Sequence, residues 1–377
     1  MTQVPFFDLG QLVRSNSREI HACLDEVIDG GYFVGGPITS RFEDEFAAYV
    51  GAGHCVGTGN GLDALRLILE AFCIGPGDEV IVPAFTFFAS WLPVTQVGAT
   101  PVPVDVDVRT ANIDPDLIRA AITDKTKAIV AVHLYGRPAE ISKIMAIADE
   151  FDLIVVEDAA QAHGARTADG NVGALGHAAA FSFYPTKNLG ALGDAGCVTT
   201  SDGAIAERIK SRRSYGQGAS KYEHVDTGWN SRLDPFQASV LSLNLPRLDE
   251  WNARRRAIAK RYADALGGGL GMLGRHDFET SVWHHAVLRA ADRPKLQAHL
   301  SQADIATDVH YPYWIGTVAP MRQYLSTPVH ERDFPGASAL AVEVTSLPMG
   351  PWMTDYQVDL VAAALEALPK DLLVHGS

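Results

Sequence analysis

An α/β fold built on a mostly parallel sheet is what this chain predicts, and three observations carry it. Helical and strand-like segments alternate over the first two thirds of the sequence. The strand-like segments are short and apolar at nearly every position, the pattern of strands covered by helices on both faces. No internal repeat or low-complexity tract breaks the alternation. At 377 residues the chain exceeds one ordinary core, so two domains are expected: a large α/β domain over 1–246 and a smaller α+β domain over 247–377.

Taken in order, the N-terminal MTQVPFFDLGQLVRSNS lacks a basic stretch leading into a long apolar run, so no secretory signal is read there and a cytoplasmic protein is expected. Leu62, Leu65, Leu69 and Phe72 recur at helical spacing. The segment from Val80 to Val104 carries no charge and is long enough to span a bilayer, but Pro83, Pro93, Pro101 and Pro103 interrupt it. It reads instead as strand, short helix, strand. The runs AIVAVHL, LIVVEDA, AAFSFYP and GCVTTS supply further strands. From Pro235 a helical pattern, FQASVLSLNLPRLDEWNARRRAIAKRYADAL, crosses Pro246, where a kink or domain boundary is expected, and ends at Gly267–Gly269. A strand in SVWHHAVLRA, a helix around KLQAHLSQA and a last helix in QVDLVAAALEAL complete the smaller domain.

A formal net charge of -14 leaves no basic face for nucleic acid or an anionic membrane, so neither is expected as a partner. Cys23, Cys55, Cys73 and Cys197 show neither ligand spacing nor the density of a disulfide framework. No metal is expected, and a reducing compartment is.

Asp158 ends the apolar run of VVEDAAQAHGA, and Lys187 stands between a second apolar run and a glycine-rich loop in FSFYPTKNLGALGDAG. On the strand reading both fall, with Phe85, at carboxyl ends of strands, where sheets of this class bind ligands. An acid and a lysine so arranged suit pyridoxal phosphate. The amine can hold the aldehyde as a Schiff base, and the carboxylate can keep the ring nitrogen protonated so that the ring accepts electrons. GTGNGLDALRLILEAF adds a glycine-rich turn opening into a helix, whose first amides near Gly61 and Leu62 can face a phosphate. The spacing of Gly57, Gly59 and Gly61, and the lack of an acid at the end of EVIVPAF, count against a dinucleotide site.

Ser182 alternates with Phe181 and Phe183 and so faces away from both. His163 is read as structural, or as supporting the site from behind it, rather than as catalytic. His284 and His285, adjacent on a strand-like segment, are read as facing opposite sides and unable to share a metal. Residues 210–224, with Lys210, Arg212, Arg213 and Lys221, read either as a solvated surface or as counter-charge for a diphosphate.

The blocks GNGLDAL, CIGPGDEVIVPAFTF, VHLYGRPAEI, EDAAQAHGA, FSFYPTKNLGALGDAG, NSRLDPFQA, HYP and SLPM, in this order over nearly the whole chain, resemble the DegT/DnrJ/EryC1/StrS family of pyridoxal-phosphate-dependent nucleotide-sugar aminotransferases. The resemblance implies the aspartate aminotransferase fold (fold type I). It implies that Lys187 bonds the cofactor, Asp158 pairs with the pyridinium nitrogen, Phe85 stacks on the ring and Gln161 meets the phenolic oxygen. Ser182 and the amides of Gly61 and Leu62 would bind phosphate, completed by Asn230 from the other subunit of a homodimer with shared sites. Tyr184, Lys221, Tyr222, Arg232, His310 and Tyr311 are substrate-side candidates. The implied reaction moves an amino group from L-glutamate to a keto-sugar on a nucleoside diphosphate. GNGLDAL and FYPTKNLGALGDAG look more like members acting at C-3 of dTDP-3-keto-6-deoxyhexoses than those acting at C-4 of UDP- or dTDP-4-keto sugars. Dehydratases of the same fold replace the lysine by histidine, and Lys187 argues against them. Two departures bear on the sugar: no second histidine follows HYP in HYPYWIGTVAPMRQY, and Trp352 stands where relatives often carry a histidine.

Overall fold

The computed structural model describes residues 4–374, apart from residues 221, 269, 276, 277 and 326–328. Its centre is a seven-stranded sheet of β1 (His54–Thr58), β2 (Glu79–Pro83), β3 (Thr100–Val104), β4 (Thr126–Val132), β5 (Ile154–Asp158), β6 (Ala178–Ser182) and β7 (Gly196–Thr200), in the order β1-β7-β6-β5-β4-β2-β3. β7 runs against both its neighbours, and the other adjacent pairs are parallel. Every strand read from the first two thirds of the sequence is present. β1 is an addition. Its HCVGT leads straight into the glycine turn and is poor in the β-branched residues that mark a strand.

Two-sided burial explains the apolar runs. Val80 and Val82 of β2 join one core cluster and Ile81 the opposite one, and Val130 and Val132 of β4 are likewise set against Ile129 and Ala131. The helix Gly61–Ala71 covers the first face with Leu65, Ile68 and Leu69, and the helix Ile141–Phe151 covers the second with Ile144 and Ile147. Each fully buried Val or Ile contributes about 1.5–3 kcal/mol relative to exposure. A polar residue in mid-strand would forfeit that.

The helix Pro235–Asn244 runs through a short turn, Leu245–Arg247, into the helix Leu248–Ala265. Pro246 sits inside the turn, where its missing N–H breaks the ladder least. The later part of the chain holds an antiparallel pair, β8 (Ala286–Arg289) and β9 (Val344–Leu347), with helices Arg293–Gln302 and Asp355–Glu366. Ile258, Tyr262, Leu288, Leu296, Leu347 and Val361 form its core, joined by Val4 from the N-terminal segment, which bridges to Ile305. Val287, Trp314, Ile315 and Phe334 instead pack with the sheet, so apolar contact is continuous across the seam. Among the described residues no helix is long and apolar enough to cross a membrane, and no cluster of His, Cys, Asp and Glu is arranged to hold a metal.

Candidate active site

A cavity of about 730 Å³ opens at the carboxyl ends of the sheet strands, between the sheet and the segments that precede and follow β8. Asp158 enters it from the last position of β5, with one oxygen accepting from Ser90 Oγ at 2.7 Å and the other from the Ala160 amide at 3.2 Å. Glu157, one position earlier, points the other way. It accepts from the Gly173, Leu175 and Gly176 amides and meets His133 Nε2 at 3.0 Å. Burial pulls the Glu157 carboxyl up, but His133 and those amides hold it below the usual range. Alternation along one strand thus separates a structural acid from one that faces the cavity.

Lys187 lies in the turn after β6, where its amide donates to the Tyr184 carbonyl at 2.8 Å. Lys187 lines the same cavity as Asp158. Burial lowers its amine to about 8, against the opposing pull of Asp158. Roughly a tenth of a lysine with that pKa is neutral at pH 7, against well under a thousandth for one at its ordinary value. The site therefore holds an amine that can act as a nucleophile.

The helix Gly61–Ala71 starts at the cavity with Asn60 as its cap, Oδ1 accepting from the Asp63 amide at 2.8 Å. First-turn amides have no partner within a helix and are available to an anion. The packing here leaves no room for side chains. A Cβ on Gly61 would lie 2.8 Å from Ser182 Cβ, and one on Gly196 would lie 2.5 Å from the Asn60 carbonyl carbon. These contacts bring the helix start against the Ser182 side chain. An anion cradle, a buried carboxylate and a buried amine of lowered pKa in one cavity fit pyridoxal phosphate.

Phe85 does not meet the cavity. It is fully buried in the sheet core, whereas Phe87, 49% exposed, lines the cavity and lies 5.4 Å from the Tyr311 ring. β2 ends at Pro83, and the chain then turns into the short helix Phe88–Ser90, so strand alternation cannot be extended to these phenylalanines. Gln161 is buried, its Oε1 accepting from the Tyr135 amide at 2.6 Å and its Nε2 donating to Tyr311 Oη at 3.1 Å. Tyr184, His310 and Tyr311 line the cavity. Asn230, Tyr222 and Arg232 do not; Arg232 donates to Asn230 Oδ1 at 2.8 Å and rests over the Tyr215 ring. Lys221 lies outside the described residues.

The neighbouring basic groups are engaged within the chain, Lys210 with Glu207, Arg212 with Glu70 and Asp226, and Arg213 with Glu43 and the Gly57 carbonyl. Each of these three is thus ion-paired within the chain. His163 is fully buried between Phe181 and Phe183, as a structural residue would be.

His284 and His285 both line the cavity, contrary to the opposed arrangement expected of a strand. The strand begins only at Ala286, and Trp283 before them has a left-handed backbone (φ 49°), so the two-residue period does not apply. His285 stacks on His310 with ring centres 4.0 Å apart, and Phe6 of the N-terminal segment stacks on His310 from 5.6 Å. Phe6, Phe87, Ser90, His284 and His285 were not anticipated as site residues. Only the aromatic run FTFF offered a local signal, and of its rings Phe87 and Phe88, not Phe85, line the cavity.

Residues 14–366 match the DegT/DnrJ/EryC1/StrS aminotransferase family. The erythromycin biosynthesis sensory transduction protein EryC1 of Saccharopolyspora erythraea is 47% identical over 366 residues, covering 97% of this chain and 99% of that protein. A dTDP-3-amino-3,4,6-trideoxy-alpha-D-glucose transaminase of Streptomyces venezuelae is 45% identical over 351 residues, covering 93% and 92%. The crystal structure of DesV from S. venezuelae in complex with a ketimine intermediate superposes with a TM-score of 0.93 at 43% identity, covering 97% of this chain and 98% of that one.

Proposed function

This chain belongs to the DegT/DnrJ/EryC1/StrS aminotransferase family and is a pyridoxal-phosphate-dependent sugar aminotransferase; on that premise we propose that it moves the amino group of L-glutamate to C-3 of a dTDP-linked 3-keto-6-deoxyhexose, as a cytoplasmic homodimer with shared sites. The observation that carries the reading is the pairing of a buried lysine of lowered pKa, Lys187, with a hydrogen-bonded carboxylate, Asp158, across one cavity. The S. venezuelae and Aneurinibacillus thermoaerophilus relatives, named as dTDP-3-amino-sugar transaminases, support C-3 and dTDP.

Bound there, pyridoxal phosphate supplies an electron sink for the carbon that loses or gains the amine. Lys187 would hold it covalently, and its amine, when free, would carry a proton to or from the substrate carbon. Asp158, steadied by Ser90 and the Ala160 amide, keeps the ring nitrogen protonated. Phe87, in place of Phe85, would cover the ring face, and Gln161 would meet the phenolic oxygen. Ser182 and the Gly61 and Leu62 amides take the phosphate. Asn230, exposed and not among the residues lining its own cavity, completes the phosphate site of the other subunit, and Tyr222 and Arg232 on the same stretch, with Lys221, serve that subunit's substrate. Tyr184, His310 and Tyr311 position the sugar in their own cavity. The Leu245–Arg247 turn divides a cofactor-binding domain, 1–246, from a smaller domain, 247–377, to whose core Val4 returns.

A direct test supplies purified enzyme with L-glutamate and a panel of dTDP- and UDP-linked 3-keto and 4-keto sugars. Amination of the dTDP-3-keto sugars is the expected result. Turnover confined to 4-keto sugars would reject the C-3 assignment. Lys187→Ala should abolish turnover while still retaining cofactor non-covalently.

A further inference from the structure

His284 is 5% exposed, lines the cavity and ends a chain of buried hydrogen bonds whose direction is set at every link. Asn252 Nδ2 donates to the His163 carbonyl at 2.8 Å, which leaves Asn252 Oδ1 to accept from Asn188 Nδ2 at 2.9 Å. Asn188 Nδ2 also donates to the Val282 carbonyl at 3.0 Å. Both carbonyls can only accept, so neither amide can be flipped without losing a bond. Asn188 therefore presents Oδ1 to His284 Nδ1, 3.0 Å away, and an oxygen there demands that Nδ1 carry the proton.

A neutral imidazole with its proton on Nδ1 has an unprotonated Nε2. Among the described residues that nitrogen makes no hydrogen bond, and it is left to the cavity. Burial, and then the charges of His285, Lys187, Arg255 and His310, hold the His284 pKa well below the ordinary imidazole value, in keeping with a neutral ring. Arg255 fixes the backbone beneath the ring, its Nη1 donating to the Trp283 and His284 carbonyls at 3.3 Å each. Asn188 also directly follows Lys187, so one set of bonds anchors both the lysine turn and the imidazole.

We propose that His284 is a substrate-positioning residue, locked by Asn188 in the Nδ1–H tautomer, whose Nε2 accepts a hydrogen bond from an ammonium or hydroxyl group of the bound substrate. A purely structural histidine would need only its bond to Asn188. The substrate half of this assignment rests on the aminotransferase reading; the tautomer does not.

Two measurements on the holoenzyme test it. With ¹⁵N-labelled histidine, the His284 signals, identified by their loss in His284→Asn or His284→Gln, should be those of a neutral ring protonated at Nδ1. Protonation at Nε2, or a charged ring at neutral pH, overturns the proposal whatever the enzyme's substrates prove to be. In the kinetic arm, His284→Asn keeps a donor near the Nδ1 position for Asn188 and removes the cavity acceptor. KM should rise about ten-fold for one substrate, as for one lost hydrogen bond, with kcat within about three-fold of the unaltered enzyme. A rise for the amino donor identifies the ammonium, and a rise for the keto-sugar identifies a hydroxyl. Unchanged KM for both overturns the proposal. If His284→Asn does not fold, the Nε2 resonance of the unaltered protein decides instead: it should shift on adding L-glutamate or the keto-sugar nucleotide, and a signal indifferent to both rejects the role. Absence of transamination with a confirmed Nδ1–H tautomer would count against the substrates and not against the lock.

Discussion

Phe85 and Phe87 stand two residues apart, one with no exposed surface in the sheet core and the other 49% exposed at the cavity. Truncating a fully buried phenylalanine removes its transfer free energy and leaves a void, about 3–5 kcal/mol together. Phe85→Ala should therefore lower unfolding stability by that order in a denaturant titration. Phe87→Ala should change stability by less than about 1 kcal/mol, because so much of its surface is already in water, yet weaken cofactor retention through loss of the ring face. Equal effects of the two on cofactor retention in still-folded protein would show that the rings were wrongly distinguished.

Strand β7 and the helix Gly61–Ala71 meet where neither has a side chain to spare. Gly196 needs its small size rather than an unusual backbone: an added Cβ would lie 2.5 Å from the Asn60 carbonyl carbon and 2.8 Å from the Gly61 nitrogen, and backbone atoms cannot swing aside. Gly196→Ala should push the start of the helix off the sheet and misalign the amides nearest the proposed phosphate. The expected outcome is a roughly ten-fold or greater loss of affinity for pyridoxal phosphate with little change for pyridoxal, which lacks the phosphate, read by titrating the apoprotein. A parallel loss for both ligands would remove the phosphate role from this element. The Asn60 cap, worth about 1 kcal/mol in a typical helix, helps keep that first turn in register.

Across the whole molecule, large apolar side chains remain exposed at Ile28, Tyr32, Phe33 and Val34 and again at Tyr215, Tyr222, Val225 and Trp229, the second group leading directly to Asn230. Such surface favours burial against another chain. In a two-fold dimer with shared sites, a Lys187→Ala chain paired with an Asn230→Ala chain forms one site carrying both substitutions and one carrying neither. Mixed chains should therefore show activity above the sum of the two separate variants, provided Asn230→Ala alone is impaired. Demonstrated subunit exchange without rescue, or an active monomer, would refute the shared site.

What could be read before folding was whatever local pattern controls. Two-sided apolar runs identified the sheet strands other than β1, because strands buried on both faces generally read as near-continuous apolar runs. Asp158, Lys187 and the turn at Gly61 were legible because each sits where a strand gives way to a loop or helix, and their positions in the cavity follow from the backbone. Periodicity failed where regular backbone stops, at Phe85 and Phe87 beyond Pro83 and at His284 and His285 before Ala286. The bonds from Ser90 to Asp158, Gln161 to Tyr311 and His284 to Asn188 join residues far apart in the chain. Sequence spacing carries no record of such contacts, because they exist only once the two ends of the cavity have packed together; the tertiary structure alone decided which aromatic ring faces the cavity and which imidazole nitrogen carries the proton.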